Sequence, residues 1–322
     1  MEHVADPQVV QQWRETAWSV RVAFVAMVAL LAIAPFVFYP VFLMQALCFA
    51  LFACAFNLLI GYVGLVSFGH ALYFGWASYL CAYAAKSWHL SPELALVTGT
   101  ATAAILGIIA GWVAIRRQGI YFAMITLALA QMMYFFALRA PFTGGEDGIQ
   151  SVPRGRLFGV IDLSSEMTMY AFVLIVVLAA FLFIYRIINS PFGEVLKAIR
   201  ENEQRTVSLG YKTERYKLVA FVLSATFAGL AGSLKALVFQ LASLTDVHWT
   251  MSGDVVLMTL VGGLGTVFGP VVGAFLIVAM QNYLAQFGQW VLVIQGAIFV
   301  VCVLAFRRGI VGELASRLGV QL

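Results

Sequence analysis

The sequence predicts an all-α fold, a polytopic bundle of transmembrane helices with about 8–10 membrane segments, some of them broken by Gly and Pro. Three observations predict it. Of the 322 residues, 62% are apolar and only 11% are charged, too few polar groups for a water-soluble surface, so lipid must be the solvent. The apolar residues fall in runs of about 20, the length a helix rising about 1.5 Å per residue needs to cross the hydrocarbon. One region, 252–285, holds roughly one and a half spans and is interrupted by Gly262, Gly263, Gly265, Gly269 and Pro270.

Apolar windows place helices at 18–38, 41–60, 64–85, 93–115, 119–139, 169–188, 217–240, 252–264, 268–285 and 289–306. The first run reads as a retained anchor: a polar stretch with Glu2, Asp6, Arg14, Glu15 and Arg21 precedes it, and no small-residue cleavage site follows. The broken region 252–285 reads as a broken helix or a re-entrant hairpin, because helix-breaking residues at membrane depth are tolerated where the freed backbone is buried in protein or lines a cavity. Basic residues near span ends give the orientation. Arg116 and Arg117, the group from Arg186 to Lys217, and Arg307, Arg308 and Arg317 fall on the cytoplasmic side. The loops around Tyr39–Pro40, Lys86–Pro92 and 140–168 then face outward. Parity closes only if 252–285 goes in and comes back out. Cys48, Cys54, Cys81 and Cys302 lie in apolar runs without metal-ligand spacing and read as small buried hydrophobes; neither a metal site nor a nucleic-acid partner is expected.

Two Gly-rich breaks stand out. The first, Gly61-Tyr-Val-Gly64-Leu-Val-Ser67-Phe-Gly69-His70, follows Asn57; the second is Gly262-Gly263-Leu-Gly265-Thr-Val-Phe-Gly269-Pro270. Unwound helix here offers free amides and carbonyls to a pathway; close helix packing with Ser67 and His70 satisfied by neighbours is the competing reading. Thr126 and Gln131 on one apolar span read as interhelical hydrogen-bonding groups. Gly107-xxx-Gly111 and Gly265-xxx-Gly269-xxx-Gly273 present small faces for helix contact. The outer stretch Thr143 to Pro153, with Glu146 and Asp147, reads as an ordered turn-rich loop.

The one long polar segment on the inner side runs from Asn189 to Arg215. Seven basic residues between Arg186 and Lys217 face four acids. Ser190 is an expected N-cap with Pro191 at the first helical position, and Gly210 stands where a short helix ends. A short amphipathic helix under the membrane serves either to dock a soluble partner or to hold anionic headgroups. No Gly-xxxx-Gly-Lys-[Ser/Thr], His-Glu-xx-His or Gly-x-Ser-x-Gly motif is present, which leaves nucleotide hydrolysis and hydrolase chemistry without a home. Lys235, Asp254 and His70 are the main ionisable groups deep in the spans, few for an ion-coupled carrier.

In this order, Gly61–His70, Tyr121-Phe-Ala-Met-Ile-Thr-Leu-Ala128, Thr143-Gly-Gly-Glu-Asp-Gly148, Ser190-Pro-Phe-Gly193, Lys197-Ala-Ile-Arg-Glu-Asn-Glu203, Tyr216-Lys-Leu-Val-Ala-Phe221, Ala228-Gly-Leu-Ala-Gly232 and Gly262–Pro270 make the chain resemble the permease subunits of branched-chain amino-acid ABC importers, the subunit type with a long outer loop. The resemblance implies one permease domain over 1–322, with 189–216 as the cytoplasmic coupling loop and 140–168 as the outer loop. It implies a second, different permease subunit, two cytoplasmic ATPases that bind the ATP, and an extracytoplasmic binding protein, all at a bacterial inner membrane. It gives Arg200, Glu201, Asn202, Glu203, Arg205 and Gly210 a part in ATPase coupling. A translocation pathway is expected along Asn57, Gly61, Gly64, Ser67, Gly69, His70, Thr126, Gly262, Gly263, Gly265 and Pro270. No residue is expected to be catalytic, and no cofactor in this chain. Leucine, isoleucine and valine are the first cargo; urea, short amides and other amino acids are the alternatives within the family. An ATP-independent channel or carrier is the alternative outside it.

Overall fold

The computed structural model describes residues 22–288, 290–306 and 309–318. The N-terminal stretch through Arg21 and the Arg307–Arg308 pair lie outside the described residues. The described residues are mostly helical. The apolar helix α1 (Val22–Phe36) is followed by α2 (Pro40–Ile60), α3 (His70–Lys86), α4 (Pro92–Ala114), α5 (Ile120–Arg139) and α6 (Glu166–Ile188). Two short helices, α7 (Pro191–Glu201) and α8 (Glu203–Ser208), lead into α9 (Thr213–Phe239), α10 (Trp249–Gly262), α11 (Gly269–Leu284), α12 (Trp290–Ala305) and α13 (Gly309–Leu318). Ten of these, α1 to α6 and α9 to α12, correspond to the predicted windows. Three boundaries differ usefully. The window at 64–85 becomes helix only at His70, because 61–69 is irregular; α9 starts at Thr213, ahead of its apolar window; and the single inner helix is two, broken at Asn202.

Burial sorts the helices. α2 is apolar all round and 94% of its central window is buried, the mark of a helix enclosed by others. It packs against α9, α11 and α6. The outer helices bury one stripe each. In α4 this stripe is Ala95, Gly99, Ala103, Gly107, Gly111 and Ala114, while Leu94, Val97, Ile105, Ile108 and Trp112 are exposed on other faces. The small residues let backbones close up where no hydrophobic force draws helices together. A Cβ on Gly229 of α9 would lie 2.1 Å from that of Ala103, and one on Gly107 would lie 2.7 Å from that of Ala225. The Gly107-xxx-Gly111 face therefore packs within the chain.

The contacts define two ends of the bundle. At the loop end, Tyr39 Oη donates to Glu166 Oε1 at 3.5 Å, Lys86 Nζ to the Gln150 carbonyl at 2.7 Å and Arg154 Nη2 to the Val238 carbonyl at 2.9 Å. Here the strand β1 (Ile149–Gln150) pairs antiparallel with β4 (Leu241–Ala242), while β2 (Arg156–Leu157) pairs with β3 (Ile161–Asp162). The long loop is thus ordered and tied to the end of α9. Asp162 accepts from the Ser164 hydroxyl and amide, which hold its carboxyl below the usual carboxylate range. At the basic end, α7 and α8 meet the ends of α2 and α9 and the turn between α10 and α11. α10 and α11 form a hairpin whose tip, 263–268, lies at this end: a Cβ on Gly273 would meet the Met258 carbonyl at 1.9 Å. The broken region thus goes in and comes back, as parity demands.

Candidate functional site

At the basic end the two Gly-rich breaks meet. Asn57, in the last turn of α2 and 3% exposed, donates from Nδ2 to the Thr266 carbonyl at 2.9 Å and accepts from the Gly265 amide at 3.0 Å. One carboxamide satisfies a donor and an acceptor that the hairpin turn leaves without helical partners. Thr266 in turn donates to the Gly263 carbonyl at 2.8 Å and accepts from the Gly269 amide at 3.1 Å, starting α11 where Pro270 occupies the first turn. Gly64 and Gly265 have φ of +82° and +75°, a region that side chains rarely adopt.

Arg200 reaches across both breaks from α7. Its Nη1 donates a hydrogen bond to the Gly61 carbonyl. A Cβ on Gly64 would lie 3.2 Å from Arg200 Cγ, and one on Gly265 would lie 3.1 Å from Arg200 Nη1. The Arg200 side chain thus lies along the two glycines, its stem against Gly64 and its guanidinium against Gly265. A carbonyl freed at the end of α2 is the natural partner for a cation.

The local sequence explains how α7 and α8 carry Arg200 there. The Ser190 hydroxyl accepts from the Gly193 amide with Pro191 in the first turn, the predicted start of α7. Asn202 is extended, with φ −157° and ψ 98°, and its side chain accepts from the Arg205 amide at 3.0 Å, so it ends α7 and caps α8. Glu203 is a hub: it accepts from Gln118 Nε2 at 2.8 Å and Thr213 Oγ1 at 3.0 Å, and pairs with Lys217, which is 3% exposed. The α4–α5 turn, α8 and the start of α9 are joined through this one carboxylate. Gly210, at φ +90°, follows α8 with open space around it. Glu201 and Arg205 are exposed.

The other residues marked in the sequence fall into two further groups. The Thr126 hydroxyl accepts from the Phe68 amide at 3.2 Å, and Gly69 packs on the Thr126 carbonyl, so α5 braces the first break; Ser67 accepts from the Gly69 amide at 3.2 Å. His70, fully buried, has Nε2 2.8 Å from Ser224 Oγ among Phe56, Tyr73 and Phe221. Gly262 packs on Gly269 inside the hairpin.

Sequence reading missed Thr266, Gln118, Thr213 and Lys217, whose partners are remote in the chain. It also missed the exposed apolar edge of Val207, Leu209 and Tyr211, which are 52%, 71% and 42% exposed. Three apolar residues at odd spacing in an otherwise polar loop were the available signal. Among the described residues no group of three His, Cys, Asp or Glu side chains gathers to hold a metal ion.

Residues 39–303 match the family model of the branched-chain amino acid transport system permease component. The chain is 26% identical over 277 residues to the high-affinity branched-chain amino acid transport system permease protein LivM of Escherichia coli, covering 79% of this chain and 65% of the relative. It is 29% identical over 197 residues to the probable branched-chain amino acid transport permease protein LivM of Methanocaldococcus jannaschii, with 58% and 55% covered. To the probable LivH of that organism it is 27% identical over 143 residues, with 41% and 42% covered. The chain thus spans less than two thirds of the length of these curated relatives. No solved structure matches. An all-α bundle with, among the described residues, five helices long and apolar enough to cross a membrane, joined at two glycine breaks and matched over 39–303, belongs to the branched-chain amino acid transport permease family.

Proposed function

We propose that the chain is a membrane-spanning permease subunit of a binding-protein-dependent ABC importer in a bacterial inner membrane, moving leucine, isoleucine and valine inward. The observation that carries this reading is the Arg200 latch, which links a polar inner loop with an exposed apolar edge to both broken helices. Power comes from two separate cytoplasmic ATPases, and the pathway is completed by a second permease subunit. The loop 189–216 docks on an ATPase through Val207, Leu209 and Tyr211, with Glu201, Arg205 and Gly210 at the contact.

The mechanism follows from what each group can move. When the ATPases close, α7 and α8 shift together, since Asn202 and Glu203 bind them to each other and to α9. Arg200 then draws on the Gly61 carbonyl, and Asn57 passes the strain to the hairpin tip. Both breaks can turn because glycine admits the backbone angles they use. The loop 140–168 receives the extracytoplasmic binding protein, with Glu146 and Asp147 at its exposed turn. This chain does no covalent chemistry.

The test is uptake of labelled leucine by cells carrying the full gene set with and without this subunit, competed by isoleucine, valine, urea and short amides. Loss of uptake on deletion, with competition by the branched-chain amino acids alone, is the expected result. Unchanged leucine uptake with loss of urea or amide uptake would overturn the cargo and leave the permease reading.

A further inference from the structure

Away from the latch, α10, α11 and α12 bring together a second polar cluster within about two turns of the loop end, in which Gln295 is buried while Asp254 and Gln281 are partly exposed. Asp254 comes from α10, Gln281 from α11 and Gln295 from α12. Gln281 Nε2 reaches Asp254 Oδ2 only at 3.5 Å, the long limit of a hydrogen bond. Gln295 is 4% exposed and its side chain is turned to the same carboxylate, yet its buried Nε2 completes no hydrogen bond. The ion pairs among the described residues are Lys197–Glu194, Lys217–Glu203 and Lys235–Asp246, so none of them neutralises Asp254.

Asp246 shows what a satisfied buried carboxylate looks like in this fold. It takes Lys235 Nζ on both oxygens, at 2.7 and 2.6 Å, and also the Ser243 amide. Asp254 has no cation, and its neighbours are two carboxamides, of which Gln281 donates only at 3.5 Å. A half-satisfied polar cluster in an apolar setting is costly, and carboxylates among membrane helices are held where they meet a partner or a pathway. The missing partner is one that brings positive charge.

The donor set fixes its class. The two carboxamides can each present oxygen or nitrogen, since the two ends are interchangeable by a flip. With the two carboxylate oxygens they offer up to four oxygens and a charge of −1. Imidazole and thiolate are absent from the cluster, which removes the softer transition metals. Calcium takes six to eight oxygens and magnesium keeps several waters, and either would leave excess charge among apolar helices. We propose that Asp254, Gln281 and Gln295 bind one compact monovalent cation of the ammonium or alkali class. A primary ammonium group has three N–H donors, one for each of these three side chains. Its sources are a free ion or the α-ammonium group of an amino-acid cargo; the second rests on the transport reading above.

The test is thermal unfolding of the full chain in lipid nanodiscs, at equal ionic strength in choline, sodium or ammonium chloride. Two further samples in choline chloride contain leucine or 4-methylpentanoate, the same molecule without its ammonium group. Sodium, ammonium or leucine is expected to raise the Tm of the wild-type chain by several degrees over choline, since a ligand that binds only the folded state stabilises it. Asp254→Asn is expected to abolish the shift while melting no lower than wild type in choline, and Gln295→Leu to reduce it. A shift with the inorganic ions alone identifies a free-ion site; one with leucine and not 4-methylpentanoate identifies the cargo's ammonium. An unchanged Tm in every salt, a shift shared equally by leucine and 4-methylpentanoate, or a shift that survives in Asp254→Asn would overturn the proposal. Should Asp254→Asn fail to fold, Gln281→Leu and Gln295→Leu read the same shift. Leucine uptake by the wild-type assembly, measured separately, shows whether the transport reading stands by itself.

Discussion

Asn57 is the residue on which the meeting of the two breaks depends most directly. Its carboxamide is buried and binds Thr266 and Gly265 from opposite ends. Replacing it with Leu keeps the branching but leaves a carbonyl and an amide without partners, each worth about 1–3 kcal/mol when buried. Asn57→Leu is expected to lower the thermal stability of the purified subunit by roughly 2–6 kcal/mol, read as a lower Tm, and to slow uptake further than stability accounts for. An unchanged Tm would mean the hairpin tip does not lean on α2. At this scale the sequence was partly legible. Asn57, Gly61, Gly64 and Gly265 stand out as polar or small groups in apolar runs, and the structure gathers them around Arg200. What no local pattern shows is pairing: Asn57 and Thr266 are 209 positions apart, and nothing in either neighbourhood names the other. His70 stood out for the same compositional reason as Asn57, but packs among aromatic rings with Ser224 instead.

The elements differ in how much of their role is written locally. α4 and α6 carry stripes at helical spacing, so their buried faces follow from periodicity alone. α2 carries no such stripe because every face is buried, and its central place had to come from the structure. The inner loop lies between these cases. Ser190, Pro191 and Gly210 mark its start and stop correctly, whereas the break at Asn202 hides inside a polar run that reads equally well as continuous helix. That break turns α8 so that Glu203 faces Lys217 and Thr213 while Val207 and Leu209 face outward. Leu209→Asp is expected to leave the subunit folded and inserted, because its side chain is 71% exposed, and to cut co-purification of the ATPases at least tenfold. Equal recovery of ATPases with the variant would remove the apolar edge from the docking role. A buried position such as Leu196 would not test this, since its loss perturbs α7 itself.

For the molecule as a whole, charge placement and hairpin geometry agree. The positive-inside reading puts Arg116, Lys197 and Lys212 on one side and Glu146 on the other, and the contacts place those groups at opposite ends of one bundle. Single cysteines in a background lacking Cys48, Cys54, Cys81 and Cys302 check this directly. A cysteine at Glu146 is expected to react with a membrane-impermeant maleimide in intact spheroplasts, and one at Gly210 only after permeabilisation; the reverse would invert the topology. The central proposal is that force from the inner loop reaches the breaks through Arg200. The most direct measurement is the ratio of leucine imported to ATP hydrolysed by the complete assembly in proteoliposomes, for the wild-type chain and for Arg200→Gln. The glutamine keeps a polar side chain but loses the charge and the reach of the guanidinium. The account predicts that hydrolysis persists in the variant while import per ATP falls at least tenfold. Import and hydrolysis that remain coupled at the wild-type ratio would contradict it.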